Sequence, residues 1–305
     1  MRKNHLLSIQ DLEPASIWRI FNLTDAVIER GEDYRPLSGK TAVLIFKKPS
    51  LRTRVSFEVA VNQLGGKSIF LSDPDVGIGI REDIRDVAKV LSSYSDCIIT
   101  RVFSHNELVL LSEYASVPVI NALSDDHHPV QALSDLWTIW KQKGKIVGLN
   151  LCFIGDGANN VSGSLILVSS MMGINITIAS PRGYEPKKEI LSQAREHAKL
   201  SGAEIRITRD PKEAVRDAEI IYTDVWTSMG LESESEKRKK VFKGFSINNE
   251  LLKYAKGDYL IMHCMPIHRD EEIEDGIVSS FRSIIFEQVK NRLLVQKGIL
   301  VFLLG

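Results

Sequence analysis

The chain has 305 residues, 44% of them hydrophobic and 26% charged, and its 39 basic and 39 acidic side chains cancel. Neutrality removes the electrostatic case for nucleic acid or an anionic membrane as a main partner, and no apolar run approaches the roughly 20 residues needed to span a bilayer. Three well-separated cysteines, Cys97, Cys152 and Cys264, argue against a disulfide scaffold or a zinc site and fit the reduced thiols of a cytoplasmic enzyme.

Length alone predicts two domains of about 150 residues each. Short apolar runs alternate with longer amphipathic ones, the pattern of parallel strands covered by helices. In the first half the expected strands are Ala42 to Phe46, Ser68 to Leu71, Cys97 to Thr100 and Val117 to Ile120. Helices are expected over Thr53 to Leu64, Asp83 to Tyr94, Glu107 to Tyr114 and His128 to Lys141, after which Gly144 and Gly148 punctuate the chain. A second alternation follows, with strands over Leu149 to Ile154, Asn175 to Ala179, Glu204 to Ile207, Ile220 to Thr223 and Tyr259 to Met262. The fold class is therefore α/β, two tandem domains over 1–145 and 146–285, each a parallel sheet flanked by helices. Val278 to Leu304 is a long amphipathic stretch, and a C-terminal helix over 286–305 is expected to return to the first domain. The dense charge run Glu232 to Lys240 reads as a solvated loop or helix face.

Ligands of open parallel sheets bind beyond the carboxyl ends of the strands, so the residues just past each strand carry the functional question. After the first strand comes Ser50-Leu51-Arg52-Thr53-Arg54. A strand feeding a helix through a polar turn aims unpaired backbone N–H groups outward, and Arg52 adds a fork suited to phosphate. The same residues suit a capped helix start, with Arg54 paired to Glu58 one turn on. Arg101, the group His127, His128 and Gln131, then Asp156 with Asn159 and Asn160, then Asp224 with Ser228 and Met229, and last His263, Cys264, His268 and Arg269 stand at later strand ends. Each has a plain alternative as a rim residue, a helix cap or a buried thiol. Their recurrence at strand after strand favours a polar pocket. Asp125, Asp126, His127 and His128 make a poor metal set, because adjacent histidines seldom converge on one point. Residues Phe153 to Asn159 hold only two glycines of a dinucleotide fingerprint, and no phosphate-binding GxxxxGK[ST] loop exists.

Four runs in order, Ser50-Leu51-Arg52-Thr53-Arg54, His128-Pro129-Val130-Gln131, Asp224-Val225-Trp226-Thr227-Ser228-Met229-Gly230 and His263-Cys264-Met265-Pro266-Ile267-His268-Arg269, resemble the aspartate/ornithine carbamoyltransferase family over nearly the whole chain. The Ser-Met-Gly and His-Cys-x-Pro runs are those of its ornithine branch. The resemblance implies transfer of the carbamoyl group of carbamoyl phosphate to the δ-amine of L-ornithine, giving L-citrulline and phosphate in arginine metabolism. It implies carbamoyl phosphate binding by Ser50, Leu51, Arg52, Thr53, Arg101, His128, Gln131, Cys264, Met265 and Arg292, and ornithine binding by Asn159, Asp224, Ser228 and Met229. Arg101, His128, Asp224 and Cys264 would be the catalytic residues. No metal or cofactor is implied, and the assembly would be a homotrimer.

Two departures stand out. Leu51 replaces a usual Thr and keeps only its backbone donor. In the loop Asp75 to Glu82, Gly77 stands where the family commonly has Gln or His reaching carbamoyl phosphate in a neighbouring subunit, and Ile80 where a polar or small residue is common. Arg81 is one position further on and offers a substitute. These departures motivate a second reading, a catalytically weak relative that regulates. A third reading, transfer to putrescine or a modified ornithine, fits less well, since Asp224 with Ser228 and Met229 suits a free α-amino acid.

Overall fold

The computed structural model describes residues 5–72, 76–78 and 81–305, so Asp75, Gly79 and Ile80 of the departing loop lie outside the described residues. The chain forms two compact units, one made of the residues up to Trp137 with Lys290–Gly305, the other of Thr138–Val289.

In the first unit, strands β1 (Thr41–Phe46), β2 (Lys67–Ser72), β3 (Cys97–Arg101) and β4 (Val119–Leu123) form a parallel sheet of order β2-β1-β3-β4. All of β3 is buried, and all of β1 except Thr41, as expected of parallel strands covered on both faces. Strand β4 begins later than the sequence pattern suggests because Pro118 has no N–H for the ladder. Only its carbonyl is used, accepting the Ile98 N–H at 2.9 Å. Helices α1 (Pro14–Arg30), α2 (Leu51–Gln63), α3 (Ile84–Tyr94) and α4 (His105–Tyr114) belong to this unit. Helix α1 escaped the strand-led reading, although Pro14 at its first turn and a buried stripe of Ile17, Ile20, Phe21, Thr24 and Val27 mark it. Helix α5 (Pro129–Lys143) runs on to Gly144, whose φ of 70° ends it.

The second unit carries β5 (Asn150–Ile154), β6 (Asn175–Ala179), β7 (Ile205–Thr208), β8 (Ile220–Thr223) and β9 (Leu260–His263) in the parallel order β7-β6-β5-β8-β9. Its helices are α6 (Asn160–Met172), α7 (Lys188–Ser201), α8 (Pro211–Val215), α9 (Ser235–Phe242), α10 (Asn249–Leu252) and α11 (Asp275–Val278). The final amphipathic stretch is not one helix. After α11 the chain pairs with the edge strand: Ile261 donates its N–H to Arg282 at 2.9 Å and accepts that of Ile284 at 3.0 Å. Helix α12 (Ile285–Leu304) starts only beyond this pairing. Its later part belongs to the first unit, where Gly298 lets it lie against α1; a Cβ there would come within 2.8 Å of the Ile20 carbonyl.

Both sheets reverse their winding once, between β1 and β3 in the first and between β5 and β8 in the second. These are the switch points at which such sheets open a crevice beyond their carboxyl ends.

Candidate active site

At the first switch point, the turn after β1 delivers Ser50 as the residue before α2, and β3 ends on Arg101. The Ser50 side chain does not cap its helix. It accepts a hydrogen bond from Arg101 Nη1 at 3.3 Å instead. Thr53 is buried and accepts from Arg292 Nη2 of α12, and the same Nη2 donates to His128 Nε2 at 3.2 Å. His128 Nε2 is thus an acceptor, which places the ring proton on Nδ1. Burial holds the His128 imidazole well below its ordinary 6.5, helped by Arg292, Arg101 and Arg52. Burial likewise pulls Arg101 down to about 10, and the charges acting on it, Arg292 and Arg52, are both positive. Gln131 is buried one turn into α5, donates Nε2 to Asp135 at 2.8 Å and leaves its own carbonyl oxygen without a protein donor. Leu51 is 74% exposed and offers only its backbone. Of the capping alternative, one part holds: Arg54 donates to Glu58 at 2.9 Å.

Lys48, which sequence reasoning passed over, adds a further cation. It is buried, with Nζ 4.3 Å from the Phe103 ring centre, and burial and then Arg101 lower its pKa against the opposing pull of Asp125. Its signal was its place two residues ahead of Ser50. Like charges gathered in a largely buried place repel one another, and an anion relieves that cost.

The second switch point is built on a carboxylate. Asn159 caps α6, taking the Ser162 N–H on Oδ1 at 2.7 Å, and donates Nδ2 to Asp224 Oδ2 at 3.1 Å. Asp224 Oδ1 accepts from Cys264 Sγ at 3.0 Å and from the Val225 N–H at 2.8 Å. Burial raises the Asp224 pKa above the ordinary carboxylate value, against the pull of His263, Cys264 and the Val225 N–H. The run after β9 is held from behind: Met265 donates its N–H to His263 Nδ1 at 2.8 Å, so His263 Nε2 carries the proton facing Glu272 at 3.1 Å. Glu272 Oε1 also takes the His268 N–H at 2.7 Å, and Gln288 joins the His263 N–H at 3.0 Å to the Tyr222 hydroxyl at 3.1 Å. Glu272 and Gln288 gave no sequence signal, since each acts through a partner distant in the chain.

Ser228 and Met229 lie in the loop after β8; Met229 is 46% exposed, and Gly230 has a φ of 95° that favours glycine. Asp224, His263 and Cys264 bring one ligand atom each within 4.8 Å of one another. Both His263 nitrogens are committed to hydrogen bonds, however, so the trio suits a proton network better than a metal ion. His128 faces Arg292 while the His127 ring packs edge-on against His105 at 4.7 Å, so these neighbours do not make a metal pair. Gly77 has its own reason to be glycine: its φ is 62°, its carbonyl accepts the Arg81 N–H at 2.7 Å, and a Cβ would sit 2.8 Å from Arg81 Cβ. A side chain at 77 requires a different turn.

Residues 4–141 match the family model described as aspartate/ornithine carbamoyltransferase, carbamoyl-P binding domain, and residues 147–303 match its Asp/Orn binding domain. The chain belongs to the aspartate/ornithine carbamoyltransferase family. Among its relatives, the ornithine carbamoyltransferase of Anoxybacillus flavithermus is 47% identical, covering 100% of this chain and 98% of its own, and that of Pyrococcus horikoshii is 45% identical over 100% and 97%. The solved ornithine carbamoyltransferase from Pyrococcus furiosus superposes with a TM-score of 0.95 at 44% identity, covering 99% of this chain and 97% of its own.

Proposed function

We propose that this protein is an ornithine carbamoyltransferase: the δ-amine of L-ornithine attacks the carbamoyl carbon of carbamoyl phosphate, the carbon–oxygen bond to phosphate breaks, and L-citrulline and phosphate leave. The observation that carries this reading is the set Arg52, Arg101 and Arg292 around a neutral His128. Ser50, the Leu51 N–H, Arg52, Thr53 and Arg292 hold the phosphate at the start of α2, where the helix dipole adds to the attraction. Arg101 and the Nδ1–H of His128 face the carbonyl oxygen, on which negative charge grows, and the unpaired Gln131 carbonyl accepts from the carbamoyl amide. A neutral imidazole suits this role because it donates a hydrogen bond without releasing a proton to the oxyanion.

Asn159, Asp224, Ser228 and the backbone of Met229 bind the amino acid end of ornithine. Cys264 and Asp224 orient the δ-amine, Met265 lines the carbamoyl phosphate side, and the departing phosphate takes the amine's proton. No covalent intermediate is needed. The exposed apolar side chains Leu51, Val55 and Ile69, 74%, 50% and 48% accessible, support burial against further copies, and we assign a homotrimer acting in the cytoplasm. Among the described residues no helix is long and apolar enough to cross a membrane. Light scattering tests the trimer. The activity is tested by incubating purified protein with carbamoyl phosphate and, separately, ornithine, putrescine, N-acetylornithine or aspartate, and measuring ureido product and phosphate. Turnover with ornithine is expected; its absence overturns the proposal.

A further inference from the structure

The charge run Glu232 to Lys240 is solvated over most of its length, but Arg238 within it is only 7% exposed. Its Nη1 donates to Asp156 Oδ2 at 2.6 Å and to the Trp226 carbonyl at 2.9 Å, and its Nε donates to Glu234 Oε2 at 2.9 Å. The guanidinium also lies 4.9 Å from the centre of the Tyr184 ring. Each partner has a place in the second switch point. Asp156 opens the turn that follows β5, takes the Ala158 N–H on its other oxygen at 3.0 Å, and stands three residues before Asn159. Trp226 stands two residues before Ser228, and Glu234 follows Gly230 on the far side of the loop. Gly230 itself is pinned by Glu232, whose carboxylate takes its N–H at 2.9 and 3.0 Å.

We propose that Arg238 is a positioning residue for ornithine: one guanidinium ties together the two segments that carry the amino acid ligands, Asp156 to Asn159 and Trp226 to Met229. This rests on the function proposed above. The planar fork explains why arginine stands here. It serves a carboxylate, a carbonyl and a second carboxylate in three directions, and the single ammonium of lysine cannot hold all three in that geometry. A buried cation at the base of a loop is a costly way to gain stability alone, since well-packed apolar residues often do as well. It is a direct way to fix where a loop's backbone lies.

The test compares Arg238→Gln, Arg238→Lys and Glu234→Gln with the unaltered enzyme, reading the KM of each substrate, kcat and the thermal midpoint. Arg238→Gln is expected to raise the ornithine KM about tenfold or more, equivalent to losing about one charge-assisted hydrogen bond's worth of orientation, with the carbamoyl phosphate KM within about twofold. Arg238→Lys falls between it and the unaltered enzyme. Glu234→Gln, whose carboxylate is 43% exposed, keeps the fold and raises the ornithine KM about twofold to threefold, the size of a weakened surface-facing contact. An unchanged ornithine KM in Glu234→Gln and Arg238→Lys overturns the inference, as does an equal rise in both KM values that tracks the loss of thermal stability. An unaltered enzyme without turnover on ornithine overturns the proposed function and this inference with it, whereas turnover with unshifted variants overturns the inference alone.

Discussion

In the first unit, three arginines surround a neutral His128, with Lys48 close to one of them, Arg101; in the second, Cys264 donates to Asp224 and His263 pairs with Glu272. Both clusters stand at switch points of parallel sheets, yet their charges are arranged oppositely. The cationic cluster gathers like charges, and the Arg101 Nε in it has no protein acceptor among the described residues. The acidic cluster meets most of its needs internally, with backbone N–H groups and neutral donors around each carboxylate. The first therefore suits a ligand that brings negative charge, and the second suits one that brings amines. The difference also predicts that the two clusters respond differently to mutation.

Arg101→Gln gives the largest expected effect. Turnover falls about a thousandfold, as when a donor to a developing oxyanion is removed, while the thermal midpoint without ligand does not fall, because one of several like charges has been taken away. A large loss of stability instead would mean that Arg101 is structural. Cys264→Ala comes next, with kcat about a hundredfold lower in a steady-state assay and carbamoyl phosphate affinity retained. Unchanged activity would remove the thiol from the reaction.

The charge contrast has a pH signature. The folded His128 is held well below 6.5, whereas in the unfolded chain it titrates near that value. Below about 6.5 the unfolded state therefore binds a proton that the folded state refuses, and stability declines as pH falls through that range. Unfolding free energies between pH 7 and 5 should show this slope in the free protein, a smaller slope with inorganic phosphate bound, and none from this source in His128→Asn. Smallest is Leu51→Thr, which adds a hydroxyl at an exposed position. It should lower the carbamoyl phosphate KM by no more than the roughly 1 kcal/mol of one neutral hydrogen bond. A larger gain would mark Leu51 as the weak point of the phosphate site.

Strand positions and strand-end clusters were legible in the sequence because parallel strands are continuous apolar runs and the groups beyond them are close in the chain. Pro118 shifted β4, and pairing with β9 interrupted the last amphipathic stretch, since both depend on hydrogen bonds that a periodicity does not reveal. Among the candidate site residues, Ser50, Arg52, Thr53, Arg101 and His128 stood out in local motifs, and Arg292 came from the family resemblance. Lys48, Glu272, Gln288 and Arg238 could not be read, because their roles are set by partners in other elements: Arg238 finds Asp156 across 82 residues, and Gln288 finds Tyr222 across 66. The charge run around Arg238 hid it further, since its neighbours are solvated as the composition suggests.

The division of labour between the two clusters is tested most directly by calorimetric titration of carbamoyl phosphate, without ornithine, into Thr53→Val and Asn159→Ala. Binding should be lost or weakened more than tenfold in Thr53→Val, which removes a charge-assisted contact to Arg292 and the hydroxyl proposed to meet the phosphate, and should match the unaltered protein in Asn159→Ala. Equal weakening in both, or weakening only in Asn159→Ala, would contradict the assignment of the anion to the first unit.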